Sequence, residues 1–218
     1  MAGKLQFQDY IDHTILKPTA TVLDIKNLCK EAVDYNFYAV CVNGCFVEIA
    51  KKELQNSKVK LAAVIGFPLG AMSTKAKVSE AIECVASGAD EIDMVINIGQ
   101  LKSGDSNFVR SEIKQIKKAI GDTVLKVIIE TCFLTTGEKK EATKLTMEAG
   151  ADFVKTSTGF GTGGATLEDV QLMKSIVGDT VKIKASGGVR DKETALEYIK
   201  LGVSRIGTSS GIAIVSTK

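Results

Sequence analysis

Two lysines stand where the hydrophobic pattern calls for core, near the ends of two short apolar runs: Lys155 in FVKTSTGF and Lys184 in VKIKASGG. An ammonium carried into a protein interior loses hydration, and a second cation beside it adds repulsion. Both effects favour the neutral amine and lower its pKa. A neutral lysine amine is a nucleophile, and its natural reaction is attack on a carbonyl to form a Schiff base.

Such chemistry needs a scaffold that holds both amines in one place. From near Tyr10 to near Val215, apolar β-branched runs alternate with stretches of helical period, the pattern of βα units. Strands are read in YIDH, YAVCVN, KLAAVIGF, EIDMVIN, LKVIIET, DFVKTS, VKIKAS and RIGTS. Helices are read over residues 21 to 35, 45 to 55, 73 to 87, 106 to 120, 138 to 149, 167 to 176, 191 to 201 and 209 to 215. A weak repeat marks the junctions: SGADEIDMV at Ser87, AGADFVKTS at Ala149 and LGVSRIGTS at Leu201 each run from helix end through Gly into a strand. A doubly wound open sheet would show similar junctions. Eight units in 218 residues favour a single (β/α)8 TIM barrel spanning 1–218.

Side chains on a barrel strand alternate between the interior and the helix-packed outside. In EIDMV the apolar Ile92 and Met94 face the helices, so Glu91 and Asp93 point inward. The same parity puts Lys126, Ile128 and Glu130 inside, then Phe153 and Lys155, then Lys182 and Lys184. Buried charges are expensive unless paired, so an interior of this kind needs a reason. A lower layer of Glu91, Lys126 and Lys182 reads as a structural ion-pair network. An upper layer of Asp93, Lys155 and Lys184 lies at the C-terminal strand ends, where barrel active sites sit, and reads as catalytic.

The loops add a second constellation. SGGVR follows the seventh strand and GTSSG the eighth, each entering a helix. Gly187, Gly188 and Gly207 let backbone amides approach a ligand, the helix N-termini add partial positive charge, and Ser209 and Ser210 offer hydroxyls. Arg190 either adds a bidentate contact or is a surface charge. Loops after strands seven and eight form the recurrent phosphate site of barrels, so phosphate binding is expected there. TSTGFGTGGAT after Lys155 reads as a mobile rim, with Thr158 and Gly159 as candidate substrate contacts.

Composition narrows the class. The sequence is 44% hydrophobic and 25% charged, with a net charge of +2 spread along the chain, as in one globular domain. The absence of a basic block and of stacking aromatics argues against nucleic acid. The apolar stretch from Leu61 to Met72 is too short to span a bilayer, and MAGKLQFQDY lacks a signal-peptide core, so no membrane partner is expected. Five irregularly spaced cysteines (Cys29, Cys41, Cys45, Cys84, Cys132) point to reduced thiols in the cytoplasm. With one histidine, His13, read as a satisfied polar residue, and no zinc-spaced cysteine pairs, neither a metal nor a nucleotide cofactor is expected.

IDHTILKP, EIDMVINIG, LKVIIET, AGADFVKTSTGF, KASGGVR and IGTSSG, in this order along nearly the whole chain, closely resemble the deoxyribose-phosphate aldolases. The resemblance implies a metal-free class I aldolase that reversibly cleaves 2-deoxy-D-ribose 5-phosphate into acetaldehyde and D-glyceraldehyde 3-phosphate. It implies that Lys155 forms the Schiff base, that Lys184 tunes that amine, and that Asp93 takes part in proton relay. It also implies a homo-oligomer, dimer or tetramer, whose partners are otherwise phosphosugar and aldehyde substrates. Asp12 and Cys41 match positions near that family's active site, and either contact substrate hydroxyls or pack at strand ends. Some members carry a terminal tyrosine on a flexible tail; the sequence here ends in Thr217 and Lys218, so tail-assisted proton transfer is not expected. Two other readings stay open: a phosphosugar isomerase or epimerase on the same barrel, and a sugar-phosphate-binding protein without turnover.

Overall fold

Each of the eight apolar runs contributes a strand and each amphipathic stretch a helix in the computed structural model, which describes residues 5–216. The strands are β1 (Ile11–Thr14), β2 (Ala39–Asn43), β3 (Lys60–Ile65), β4 (Glu91–Val95), β5 (Val124–Ile128), β6 (Phe153–Lys155), β7 (Lys182–Ser186) and β8 (Arg205–Thr208). The helices are α1 (Val22–Asp34), α2 (Val47–Leu54), α3 (Thr74–Ala86), α4 (Ile98–Lys102), α5 (Ser106–Ile120), α6 (Thr136–Glu148), α7 (Leu167–Val177), α8 (Lys192–Lys200) and α9 (Gly211–Ser216). All strand pairs are parallel and follow chain order, and β8 returns to β1 through Ile11↔Ile206 and Asp12↔Gly207. The result is the closed (β/α)8 barrel that the alternation implied. No helix among the described residues is long and apolar enough to cross a membrane. Thr217 and Lys218, on which the expectation about a tail rests, lie outside the described residues.

Local signals account for the helix boundaries. Capping boxes start α1 (Thr21 with Asp24) and α6 (Thr135 with Glu138), each hydroxyl and carboxylate satisfying an otherwise orphaned backbone N–H. Helix α4 was not anticipated, because INIGQLKSGD is short and interrupted by glycine; it is held by Asn97, whose side chain accepts from the N–H of Gln100. The last helix starts at Gly211, which leaves Ser209 and Ser210 in the preceding loop.

The repeated junction has a structural cause. After α3, α6 and α8 the chain turns at left-handed Gly88, Gly150 and Gly202, and the next residue (Ala89, Ala151, Val203) is buried. Its N–H returns to the carbonyl of Cys84, Thr146 or Tyr198, closing the helix in the Schellman manner. In the two GAD copies the aspartate then reaches sideways. Asp90 Oδ2 accepts from the N–H of Leu61 at 2.9 Å, and Asp152 Oδ2 from that of Leu125 at 2.8 Å, so each fixes the start of the preceding strand.

The apolar core is the shell between strands and helices. Outward residues such as Val40, Val42, Leu61, Ile92, Met94, Leu125, Val127, Val154 and Ile183 pack there against Ile25, Leu28, Ile113, Ile116, Val170 and Met173. Inside the barrel one small apolar cluster is formed by Leu16, Cys41, Ala62 and Val64, with Phe67 against them. One ion pair interrupts the outer shell. Lys77 of α3 donates to Glu112 Oε2 of α5 at 2.8 Å and to the carbonyl of Val95 at 2.9 Å, while Thr74 donates to Glu112 Oε1 at 3.1 Å. Both charged side chains are fully buried, so each needs the other. Replacing Glu112 alone with Ala is expected to lower unfolding free energy by about 3–5 kcal/mol. The paired change Lys77→Met with Glu112→Leu should recover most of that loss, as measured by urea denaturation.

Candidate active site

Asp93 sits at the centre of the barrel interior and is fully buried. Its Oδ2 accepts from Lys155 Nζ at 2.9 Å and from Lys184 Nζ at 2.8 Å, while Oδ1 accepts from Lys126 Nζ at 2.6 Å. Sheet register brings these residues level: Asp93 pairs with Lys126 across β4 and β5, and Lys155 with Lys184 across β6 and β7. Below them Lys126 also reaches Glu91 Oε2 at 2.6 Å, and Arg205 forks onto Glu91 at 3.1 and 2.8 Å. Asp12 closes the circuit. Its Oδ1 accepts from Arg205 Nε at 2.6 Å, and its Oδ2 lies 2.5 Å from Lys184 Nζ, an ion pair without hydrogen-bond alignment.

This network holds three carboxylates (Asp12, Glu91, Asp93) against four basic groups (Lys126, Lys155, Lys184, Arg205). The interior is electrically balanced when one basic group gives up its proton. Lys155 is the one of the four whose pKa is lowered. Burial lowers its pKa, the repulsion of Lys184 adds to this, and Asp93 only partly opposes them. Burial also works against the Lys184 ammonium, but Asp12 and Asp93 outweigh it and raise its pKa. Lys126 is raised in the same way by Asp93 and Glu91. Burial tends to raise Asp12, yet Arg205 and Lys184 bring it down to about 2. Asp93 is held well below the ordinary carboxylate range by its three lysines, again against burial.

Of the network residues, Lys155 lines the cavity at the C-terminal mouth. The cavity is about 450 Å³ and is walled by Gly159, Gly187, Gly188, Arg190, Gly207 and Ser209, with Thr14 to Lys17 on the facing side. Gly187 (φ +87°) and Gly164 let two loops touch: a Cβ on Gly164 would come within 2.2 Å of the Gly187 carbonyl oxygen. The N–H of Ala165 bonds to the Ser186 and Gly187 carbonyls at 3.1 Å, locking the loop after β6 to the loop after β7. Phe160 extends the rim and meets Phe67 edge-on, with ring centroids 5.3 Å apart.

The profile of the DeoC/LacD family aldolases matches residues 8–216. The chain belongs to this aldolase family. A deoxyribose-phosphate aldolase of Thermococcus gammatolerans is 58% identical over 210 residues, covering 94% of this chain and 93% of the relative. One of Finegoldia magna is 55% identical over 211 residues, covering 97% and 99%. The solved structure of a tetrameric deoxyribose phosphate aldolase from Aeropyrum pernix superposes with a TM-score of 0.88 at 32% identity, covering 96% of this chain and 89% of the other.

Within this aldolase the structure brings Lys155, Lys184 and Asp93 into mutual contact, as strand parity implied. Thr158, Gly159, Gly187, Gly188, Arg190, Gly207 and Ser209 gather around the cavity, whereas Ser210 stands back, its N–H bonded to Thr208 Oγ1 at 2.9 Å. Cys41 faces inward but packs among Leu16, Ala62 and Val64, and burial raises its thiol pKa. Asp12 neither lines the cavity nor packs as an apolar filler; it is a full member of the ion network. His13 points outward and bonds Glu31 through Nε2 at 2.7 Å. The lower layer requires a correction. Lys182 is exposed at the N-terminal end of β7, its ammonium 5.7 Å from the Phe153 ring centroid, and Arg205 of β8 fills the assigned place beside Glu91. Sequence reasoning missed Arg205 because a charge opening a four-residue strand looks solvent-facing. Lys17, also missed, reaches the cavity from the loop after β1.

Reductive alkylation with a small aldehyde reads the Lys155 amine directly. The adduct should form with a pH midpoint below the ordinary lysine value of 10.5, rising as the ammonium loses its proton. Lys184→Met removes a repelling cation and frees Asp93 to favour the Lys155 ammonium, so the midpoint should move upward by about one pH unit.

Proposed function

We propose that this aldolase reversibly cleaves 2-deoxy-D-ribose 5-phosphate to acetaldehyde and D-glyceraldehyde 3-phosphate through a Schiff base on Lys155. The observation that carries the proposal is the pairing of a buried amine, biased towards neutrality, with a cavity whose opposite wall is built from glycine-rich loops. Gly187, Gly188, Gly207 and Ser209 bind the phosphate with backbone amides and a hydroxyl, and Arg190 adds charge at the rim. The open-chain aldehyde is thereby held over Lys155 in one geometry.

The neutral Lys155 amine adds to the C1 carbonyl, and loss of water leaves an iminium. Removal of the proton from the C3 hydroxyl turns C3 into the aldehyde of the departing glyceraldehyde phosphate. The C2–C3 bonding pair flows into the iminium, giving an enamine rather than a bare carbanion. Protonation at C2 and hydrolysis then release acetaldehyde. The path for protons between the two amines runs across Asp93 Oδ2, which touches both. Asp93, anionic at rest, is the base that takes the C3 hydroxyl proton into this relay, while Lys184 keeps its proton and biases Lys155 away from holding one.

The five cysteines are all free thiols, in keeping with a cytoplasmic enzyme. A homo-oligomer, dimer or tetramer, is proposed on the likeness to the tetrameric Aeropyrum pernix protein.

Borohydride reduction in the presence of acetaldehyde tests the function. A single ethyl group mapped to the Lys155 peptide by mass spectrometry is expected, and Lys155→Arg should show none. Unmodified protein would favour an isomerase or epimerase instead. Asp93→Asn should lower kcat roughly 10²- to 10⁴-fold, the range of a lost acid-base group.

A further inference from the structure

Glu130 lies outside the ion network and yet is 1% exposed. Among the described residues no cation pairs with it; its carboxylate instead accepts from the backbone N–H of Thr158 at 3.2 Å on both oxygens, and from the Thr158 hydroxyl. The backbone is unusual too. Glu130 is left-handed (φ 53°, ψ 69°), a conformation that a residue with a long side chain rarely adopts and that is retained where surrounding structure demands it.

The cause is a break in the ladder. Ile129 N–H bonds to the Lys155 carbonyl, but Thr131 N–H bonds to that of Thr156, so two residues advance on one strand for one on the other. This bulge turns the Glu130 side chain from the inward course set by Lys126 and Ile128 towards the loop after β6. That loop lies directly against it: a Cβ on Gly161 would come within 3.3 Å of the Glu130 carboxylate and 2.6 Å of Cys132 Sγ.

From this geometry we infer that Glu130 is a positioning residue for substrate: it anchors the loop Thr158–Gly161 and fixes the polarity of the Thr158 hydroxyl at the cavity wall. The inference rests on the aldolase reading above. Because the Thr158 hydroxyl proton is committed to Glu130, and its oxygen already accepts from the N–H of Phe160 at 3.0 Å, one acceptor site remains to face the cavity. Thr158 thus receives a hydrogen bond from a substrate hydroxyl and does not donate to the phosphate. Glu130 does not touch the Lys155 amine, so its contribution is to the binding of the hydroxylated substrate and not to imine formation.

The test separates these two quantities. Glu130→Met removes every acceptor, Glu130→Gln keeps one neutral acceptor, and Thr158→Val removes the hydroxyl alone. Glu130→Met should raise KM for the phosphorylated substrate roughly tenfold to a hundredfold, the scale of a lost hydrogen bond to a charged group. Glu130→Gln should raise it less, and Thr158→Val should add little in the Glu130→Met background. The rate of acetaldehyde trapping on Lys155 should be retained in all of them. Unchanged KM, independent multiplication of the two effects, or a parallel loss of trapping and KM would each overturn the inference. Absence of cleavage or adduct in the unsubstituted protein would overturn the aldolase reading itself, a distinct outcome. If Glu130→Met does not fold, the Gln and Val variants still decide the matter.

Discussion

Asp93 is the interaction on which the interior depends. Three lysine side chains converge on its two oxygens, whereas Glu91 and Asp12 each pair with two basic groups. Removing water from four basic groups is tolerable only with enough negative charge beside them, and three carboxylates supply one too few. Neutrality of the buried cluster and the lowered pKa of Lys155 are therefore two sides of one charge balance. Lys184 cannot take that role, because it touches both Asp12 and Asp93, whereas Lys155 touches only the latter.

The barrel makes this possible because neighbouring parallel strands bring inward positions level, so residues distant in sequence meet at one height: Asp93 with Lys126, Lys155 with Lys184. Charge is concentrated on the β4 to β8 side of the interior and on Asp12, while Cys41, Ala62 and Val64 of β2 and β3 form a small apolar wall opposite. At the mouth, the contact of Gly164 with Gly187 and the anchoring of Thr158 by Glu130 hold the loop after β6 from two sides. The Lys155 nitrogen and the glycine-rich cavity loops are thus placed by separate devices, one made of ion pairs and one of backbone packing.

Much of this is legible in the residues themselves. Alternation in EIDMV and VKIK identified which side chains point inward, because a period of two leaves no freedom once the apolar face is assigned. It identified a face and not a depth, which is why Lys182 was placed inside: it shares the parity of Lys184 but sits where the barrel opens to solvent. Arg205 escaped notice because β8 is short and its charge precedes any apolar alternation; only the pairing of β8 with β1 shows that it faces Asp12. Glu130 had the right parity, but the bulge that redirects it depends on an offset between two strands that no single strand reveals. Glycine-rich runs marked the cavity loops well, since close backbone approach leaves a compositional trace. Lys17 left none.

The apolar shell between strands and helices has a further meaning once the interior is known to be ionic. Ile92, Met94, Val127 and Ile183 look outward beside neighbours (Glu91, Asp93, Lys126, Lys184) that carry charge inward. Folding strength and reactivity therefore reside on opposite sides of a wall one strand thick. Natural variation can repack the outer side for heat or cold while the chemistry within stays as it was, and a shift in one nitrogen's acidity need not disturb the scaffold that carries it.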